Sequence, residues 1–331
     1  MHQLKRTQIT QTLLNKRATM MALQSKQNRR ILLLKKKHKS TDLNYQTFNV
    51  GDIQMSISAA DVKKLRDMTG AGMMDCKKAL TEAEGDFDSA VEVLRKKGQK
   101  VADKRADREA KEGLILTRIS DDAKKAVAIE INCETDFVAR NEDFHTQAEA
   151  FLNAAYDNET SSVEGLLTVE IDGRTIADHL QDMTGKIGEK IQISTTILAT
   201  TQGSIVSYIH PGNQLGVLVE FNGDNIDSEI GKDVAMQVAA MKPIAVTEAE
   251  VDAYVVEKEL EIAKEQLINE GKPEEIAEKA AKGKLRRFYE ERVLLNQKFV
   301  KDNSLSVKKY LEDNNTPLVV SFHRIQLGED A

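Results

Sequence analysis

From residue 58 onward the apolar positions fall at helical spacing. Ser58 stands three residues before Asp61, an N-cap pair ahead of an apolar face of Val62, Leu65 and Met68. Thr69-Gly70-Ala71-Gly72 breaks that helix with two glycines. A second helix is predicted from Met73, with Cys76, Ala79, Leu80 and Ala83 as its stripe. After the turn Glu84-Gly85, Asp86 reads as the next N-cap. Phe87, Ala90, Val91 and Leu94 then mark a third amphipathic helix, with Gly98 as its C-terminal stop. Met73 and Met74 are neighbours on one helix and face different ways, so both are unsuited to full burial. An adaptable Met-Met corner suits a partner surface, although core is the ordinary place for either residue.

The pattern then changes period and repeats. Gly113 to Asn132 and Gly203 to Asn222 align without a gap at an offset of 90, with six identities in twenty: Gly113/Gly203, Ile115/Ile205, Ile119/Ile209, Val127/Val217, Glu130/Glu220 and Asn132/Asn222. The first part of each unit alternates apolar and polar residues. A polar turn follows (Asp121 to Lys124, Pro211 to Gln214), and then a second apolar strand, which together read as a hairpin. Each hairpin leads into a helix, marked by Phe144, Ala148 and Phe151 in the first unit and by Val234, Val238 and Met241 in the second, ahead of Pro243. The expectation is an α+β protein with two duplicated strand-strand-helix lobes, each sheet burying one face against helices.

Between about Thr247 and Phe299 the chain is rich in Glu, Lys and Ala. Val256, Leu260, Ala263 and Leu267 form a seam, Gly271-Lys272-Pro273 a turn, and Ile276, Ala280, Leu285 and Phe288 a second seam. This predicts an inserted antiparallel helical hairpin. Leu318 to Phe322 reads as a strand returning to the second lobe. The expected organisation is residues 55–97 as a three-helix module, 98–112 as a connecting helix, 113–200 as lobe 1, and 201–331 as lobe 2 with the hairpin at about 248–299.

Charge changes the picture at one end. Of the 331 residues, the first 54 carry eleven Lys and Arg against two acids, while the whole chain has a net charge of −6. A basic tail therefore precedes an acidic body. Three readings stay open for it: a transit peptide, a nucleic-acid-binding arm, or a start codon placed upstream of a working start near Met55. Two cysteines, Cys76 and Cys133, cannot build a disulfide framework or a four-cysteine zinc site, so a reduced cytoplasmic setting is the default. Aromatics make up 5% and Trp is absent, so the core must come mainly from Val, Ile, Leu and Ala.

Catalytic chemistry is hard to find. There is no phosphate-binding glycine loop and no nucleophile elbow, and the six histidines have no metal-ligand spacing. Cys133 is followed by Glu134 without an activating neighbour and reads as a structural thiol. An enzyme is disfavoured and no cofactor is expected. One segment, Thr135-Asp136-Phe137-Val138, interrupts the symmetry, because the second unit has Asn225-Ile226-Asp227-Ser228 at that place. Either Thr135 or Asp136 caps a plain helix with Phe137 tucked into the core, or the acid-aromatic pair projects outward.

The runs Thr69 to Leu80, Thr135 to Ala139 and Gly271 to Lys279, with His210 ahead of Leu215 to Val219, closely resemble bacterial elongation factor Ts. The resemblance spans residues 56 to about 327. It implies a guanine-nucleotide exchange factor for elongation factor Tu in protein biosynthesis, working in the cytoplasm. It also implies a ubiquitin-associated-like (UBA-like) first module, a two-lobed core docking on the GTPase, and a coiled coil that touches the partner or mediates a homodimer of the complex. Neither membrane nor direct nucleic-acid binding is implied. By carry-over, Thr135, Asp136, Phe137 and Val138 enter the partner near its magnesium and dislodge the ion. Arg66, Met73 and Met74 lean on a helix of the nucleotide domain, and His210 reaches toward the phosphate-loop side. Three features depart from the family pattern: the tail, the turn Pro211-Gly212-Asn213-Gln214, and an ending at Ala331 without the extra C-terminal helix of some members. Two other classes compete: a chaperone-like module that holds the same GTPase without exchange, and an RNA binder using the tail.

Overall fold

A computed structural model describes residues 57–329, so the expectations for the basic tail lie outside the described residues. The protein is a mixed α+β structure. Helix α1 (Ala59–Thr69) begins with a full capping box. The Asp61 N–H donates to Ser58 Oγ at 3.1 Å, and the Ser58 N–H donates back to the Asp61 carboxylate at 3.2 Å. The Ser58 hydroxyl, donating to the Asp61 carboxylate at 2.6 Å, and after it the Ser58 N–H hold that carboxyl below its ordinary pKa. Gly70, at φ +66°, closes α1. Helices α2 (Met73–Glu82) and α3 (Phe87–Arg105) follow, packed around Val62, Leu65, Cys76, Ala79, Leu80 and Ala90. Met68, read as part of the α1 core face, is instead exposed.

Gly98 does not stop α3. The helix runs through it to Arg105, because Gly98 lies against Gly185 of a later helix. A Cβ placed on Gly185 would sit 2.5 Å from the Gly98 Cα. The glycine serves a close helix crossing rather than a cap.

Strands β1 (Glu112–Ile119) and β2 (Lys125–Cys133) form the first hairpin. Helices α4 (Asp136–Ala139), α5 (Glu142–Asp157) and α6 (Val163–Leu167) follow. Next come the two-residue strands β3 (Glu170–Ile171) and β4 (Arg174–Thr175), then helix α7 (Ile176–Ile187). Strand β5 (Gln192–Thr200) completes an antiparallel sheet of order β1-β2-β5. A second hairpin, β6 (Ser204–Ile209) and β7 (Leu215–Phe221), leads to helix α8 (Ser228–Met241). Met241, placed on the inner face by its spacing, lies at the C-terminal end of α8 and is exposed, while Val234 and Val238 are buried.

The hairpin that follows consists of α9 (Ala253–Asn269) and α10 (Glu274–Arg292), narrower than the sequence suggested. Its seam is Ala263 and Leu267 against Ala277 and Ala281. Of the expected second stripe, Ala280 packs against this seam and Leu285 and Phe288 are half-buried, whereas Ile276 faces solvent and its neighbour Ala277 takes the inward place. Small seam residues let the two helices approach closely, which takes precedence over burying the larger isoleucine. Strands β8 (Lys298–Phe299) and β9 (Asp302–Ser306), helix α11 (Val307–Asp313) and strand β10 (Val319–Gln326) follow; β10 joins β7 in a sheet of order β10-β7-β6.

The two sheets are stacked between helices. Along β2, Val127, Ile129 and Ile131 pack on α5 residues Phe144, Ala148 and Phe151. The alternate residues Ala126 and Ala128 turn the other way and meet Ile205, Leu218 and Ile325 of the second sheet. Along β7, Val217, Val219 and Phe221 face α8. A strand buried on both faces carries little alternation, which is why β2 is continuously apolar from Ala126 to Ile129, before the buried polar residues Glu130 and Asn132. No described helix is long and apolar enough to cross a membrane.

Candidate partner-docking site

The end of β2 builds the site. Cys133 is buried, and its Sγ donates to the Thr135 carbonyl at 3.2 Å. Burial pushes its thiol up to about 12, with the Glu189 charge adding to the effect, so it is an inert structural thiol. Glu134 is held on two sides. Arg105 Nη1 donates to both of its carboxylate oxygens, at 2.7 and 2.8 Å, and the Lys190 N–H donates to one of them at 2.6 Å. Burial alone would raise the Glu134 carboxyl; the Lys190 amide and the Arg105 guanidinium outweigh it and hold the group below its ordinary value.

Thr135 is extended, at φ −130° and ψ 153°, and occupies the N-cap position of α4 without capping it. Its hydroxyl and its N–H both donate to Glu189, at 2.8 and 3.1 Å. Helix α4 is a single turn in which Ala139 is buried and Val138 half-buried. His145 Nε2 meets the Ala139 carbonyl at 2.8 Å. Phe137 points outward and is 82% exposed, the most exposed of the large apolar side chains among the described residues. Beside it Asp136 is half-buried and pairs with Arg140 at 3.0 Å. The outward reading of the acid-aromatic pair is therefore the one the structure adopts.

The remaining predicted residues lie on other elements. Arg66, Met73 and Met74 are exposed around the glycine turn joining α1 to α2, with Met68 beside them in the chain. His210 directly follows β6, exposed, with Nδ1 2.8 Å from the Tyr208 hydroxyl. Its turn is tied to the first sheet where the Ile115 N–H donates to the Asn213 carbonyl. The eight residues thus belong to three surface features rather than one cluster.

Sequence reasoning missed Arg105, Glu189 and Lys190, which come from positions about 30 and 55 residues away from Glu134 and carry no local motif. Only the acid at Glu134, beside a buried cysteine, hinted that something must compensate it. Among the described residues no group of three or more His, Cys, Asp or Glu could hold a metal ion.

The family model for elongation factor TS matches residues 134–329. The chain is 47% identical over 277 residues to elongation factor Ts of Amoebophilus asiaticus, covering 83% of this chain and 100% of that one. It is 49% identical over 276 residues to elongation factor Ts of Christiangramia forsetii, covering 82% and 99%. Against elongation factor Ts of Prosthecochloris aestuarii the identity is 48% over 284 residues, covering 82% and 99%.

Proposed function

The chain belongs to the elongation factor Ts family, and from that premise we propose that it promotes guanine-nucleotide exchange on elongation factor Tu during translation elongation, in the cytoplasm. The observation that carries this reading is Phe137: an aromatic ring 82% exposed on a one-turn helix whose base is fixed. Leaving a Phe in water forgoes about 1.5–3 kcal/mol of burial, which a docking surface recovers on binding.

Bound GDP is held by backbone amides, a lysine and a magnesium ion bridging protein and phosphates. A wedge of Phe137, with the Asp136 carboxylate beside it, disturbs the ion's water and ligand shell. Once the ion is gone the phosphates are poorly neutralised and GDP leaves. Asp136 must first give up Arg140; an exposed i,i+4 pair is worth only about 0.3–0.5 kcal/mol, so that exchange costs little. No covalent bond is made or broken, so the factor needs no acid, base or cofactor. Coupling is reciprocal: whatever the factor takes from GDP affinity, GDP takes from the factor's affinity.

In this reading α1–α3 is a UBA-like module whose Arg66, Met73 and Met74 lean on the partner's nucleotide domain, and His210 approaches its phosphate loop. The two sheets are duplicated lobes, supported by the six identities at an offset of 90. The hairpin α9–α10 touches the partner or a second copy of the complex.

The test uses elongation factor Tu preloaded with a fluorescent GDP. Catalytic amounts of this protein should accelerate release, and Phe137→Ala should slow that acceleration at least tenfold. Unaccelerated release with tight binding would leave a holding module in place of an exchange factor.

A further inference from the structure

The one-turn helix carrying Phe137 lacks the side-chain cap that its sequence offers. Thr135 occupies the N-cap position, yet its hydroxyl reaches away from the helix to Glu189 at 2.8 Å, and its N–H goes to the other oxygen of the same carboxylate at 3.1 Å. Glu134, one residue earlier, is pinned from two directions, by Arg105 in the last turn of α3 and by the backbone of Lys190. Lys190 in turn donates its Nζ to the carbonyls of Ala106 and Arg108, at 2.9 and 3.0 Å, just beyond the end of α3. Glu189 and Lys190 follow α7, which crosses α3 with Gly185 against Gly98. The base of the tip is therefore fastened to the C-terminal end of α3, the last helix of the three-helix module, whose core it shares with α1 and α2 and so with the exposed methionine corner at their joining turn.

A satisfied, half-buried polar cluster can simply hold a fold together. Two features ask for more. The tether takes a capping group away from the element it would stabilise, a loss of about 1 kcal/mol of local helix stability. Moreover, every bond in it ends on Glu134 or Thr135, the two residues that aim Phe137, or on the strands of chain that hold them.

We propose that Arg105, Glu134 and Glu189 are positioning residues for nucleotide exchange: they fix the Asp136-Phe137 tip relative to the three-helix module, so that both grip one GTPase at the same time. This rests on the exchange reading above. A tip displaced by about 1 Å loses up to roughly a hundredfold in a rate that depends on its placement.

The experiment measures fluorescent GDP release from elongation factor Tu with the full chain and with Glu189→Gln, Arg105→Ala and Arg105→Lys. Glu189→Gln keeps the shape and weakens the tether; Arg105→Ala removes one arm. The maximal exchange rate should fall about tenfold for Arg105→Ala and less for the other two, with the half-saturating factor concentration changing less than twofold. Phe137→Ala should cost much less in the Arg105→Ala background than in the parent, since a misplaced ring is already ineffective. Amide exchange should speed up at residues 136–140 and not in α5, a readout independent of activity that remains decisive if one variant is poorly folded. Parent-like rates and parent-like protection at 136–140 in Glu189→Gln and Arg105→Ala would overturn the proposal while the parent still exchanges nucleotide. An inactive parent would instead overturn the exchange reading itself.

Discussion

Ile115 donates its backbone N–H to the Asn213 carbonyl at 2.7 Å, and Ile205 donates its own to the Ala123 carbonyl at 2.8 Å. Each bond becomes the other when its two residues are shifted by ninety in opposite directions. Both acceptors adopt the left-handed conformation, Ala123 at φ +56° and Asn213 at φ +57°. The relation extends to glycine. A Cβ on Gly113 would lie 2.0 Å from the Ile131 carbonyl oxygen, and one on Gly203 would lie 1.8 Å from that of Phe221, again ninety residues on. Six identities in twenty thus have a physical counterpart: the same close approach and the same reciprocal bond, made twice.

Gly113→Ala and Gly203→Ala should therefore be equivalent lesions. In each, backbone must move to admit a methyl group, so each should cost roughly 1–3 kcal/mol or somewhat more in urea unfolding. Gly283→Ala is the control. It lies inside α10 with nothing within 4 Å of its Cβ, and should stabilise by about 1 kcal/mol through helix propensity. A neutral Gly113→Ala beside a costly Gly203→Ala would break the equivalence.

What could be read in the sequence follows from how local each cause is. The capping box at Ser58 and Asp61, the hairpins, and the inward stripe Phe144, Ala148 and Phe151 are set by neighbours within a few residues, and the structure has them. Gly98 looked like a stop because its reason, Gly185, is far away in the chain. Strand β5 carries little local signal: its pairing with β2 shifts register between Glu130 and Ile131, which spoils simple alternation, and it is threonine-rich. The direction of Phe137 could not be read locally, since a one-turn helix buries whichever side the surroundings demand. Here the buried residue is Ala139. The Glu189 and Arg105 tethers had no sequence signature at all.

The crossing of α3 and α7 makes an asymmetric prediction. A Cβ on Gly185 would be 2.5 Å from the Gly98 Cα, whereas one on Gly98 would be 3.5 Å from the Gly185 Cα, an ordinary contact. Gly185→Ala should destabilise by about 1–3 kcal/mol, and Gly98→Ala should be neutral or stabilising by up to ~1 kcal/mol. Thermal unfolding of the two variants side by side decides it; equal losses would contradict the geometry.

Two phenylalanines seven residues apart should separate function from stability. Phe144 is fully buried, and Phe144→Ala should cost about 3–5 kcal/mol. Phe137 is 82% exposed, so Phe137→Ala should change stability by no more than ~0.5 kcal/mol while impairing nucleotide release. A large stability loss for Phe137→Ala would mean the ring is not free.

Cys133 gives a pH dependence with a definite sign. Its thiol sits at about 12 in the folded protein against an ordinary value of 9.0. Between those values the unfolded chain loses the proton and the folded chain keeps it. The stability that this group contributes is complete below about pH 9 and is lost as pH rises toward 12. Unfolding free energy should therefore fall with alkaline pH, by at most ~1.4 kcal/mol per pH unit from this group. Cys133→Ala should flatten that part of the profile, and native Cys133 should resist alkylation at pH 8. Rapid alkylation without unfolding would count against its burial.

The helical hairpin tests which residues form its seam. Sequence spacing favours Ile276 and Ala280 as inward positions; the structure keeps Ala280 half-buried against the seam, but it buries Ala277 and Ala281 and leaves Ile276 55% exposed. The two registers predict opposite outcomes for two substitutions. With alanines inside, Ala277→Leu adds a large side chain to a contact that alanine made close, and should cost about 1–3 kcal/mol, with faster amide exchange in α9 and α10. Ile276→Ala should be nearly silent, helped by alanine's helix propensity. With isoleucine inside, Ile276→Ala would leave a cavity costing about 2–5 kcal/mol and Ala277→Leu would be tolerated. Amide exchange across residues 253–292 distinguishes the two, because it reads the hairpin directly even where the stacked sheets dominate the global transition.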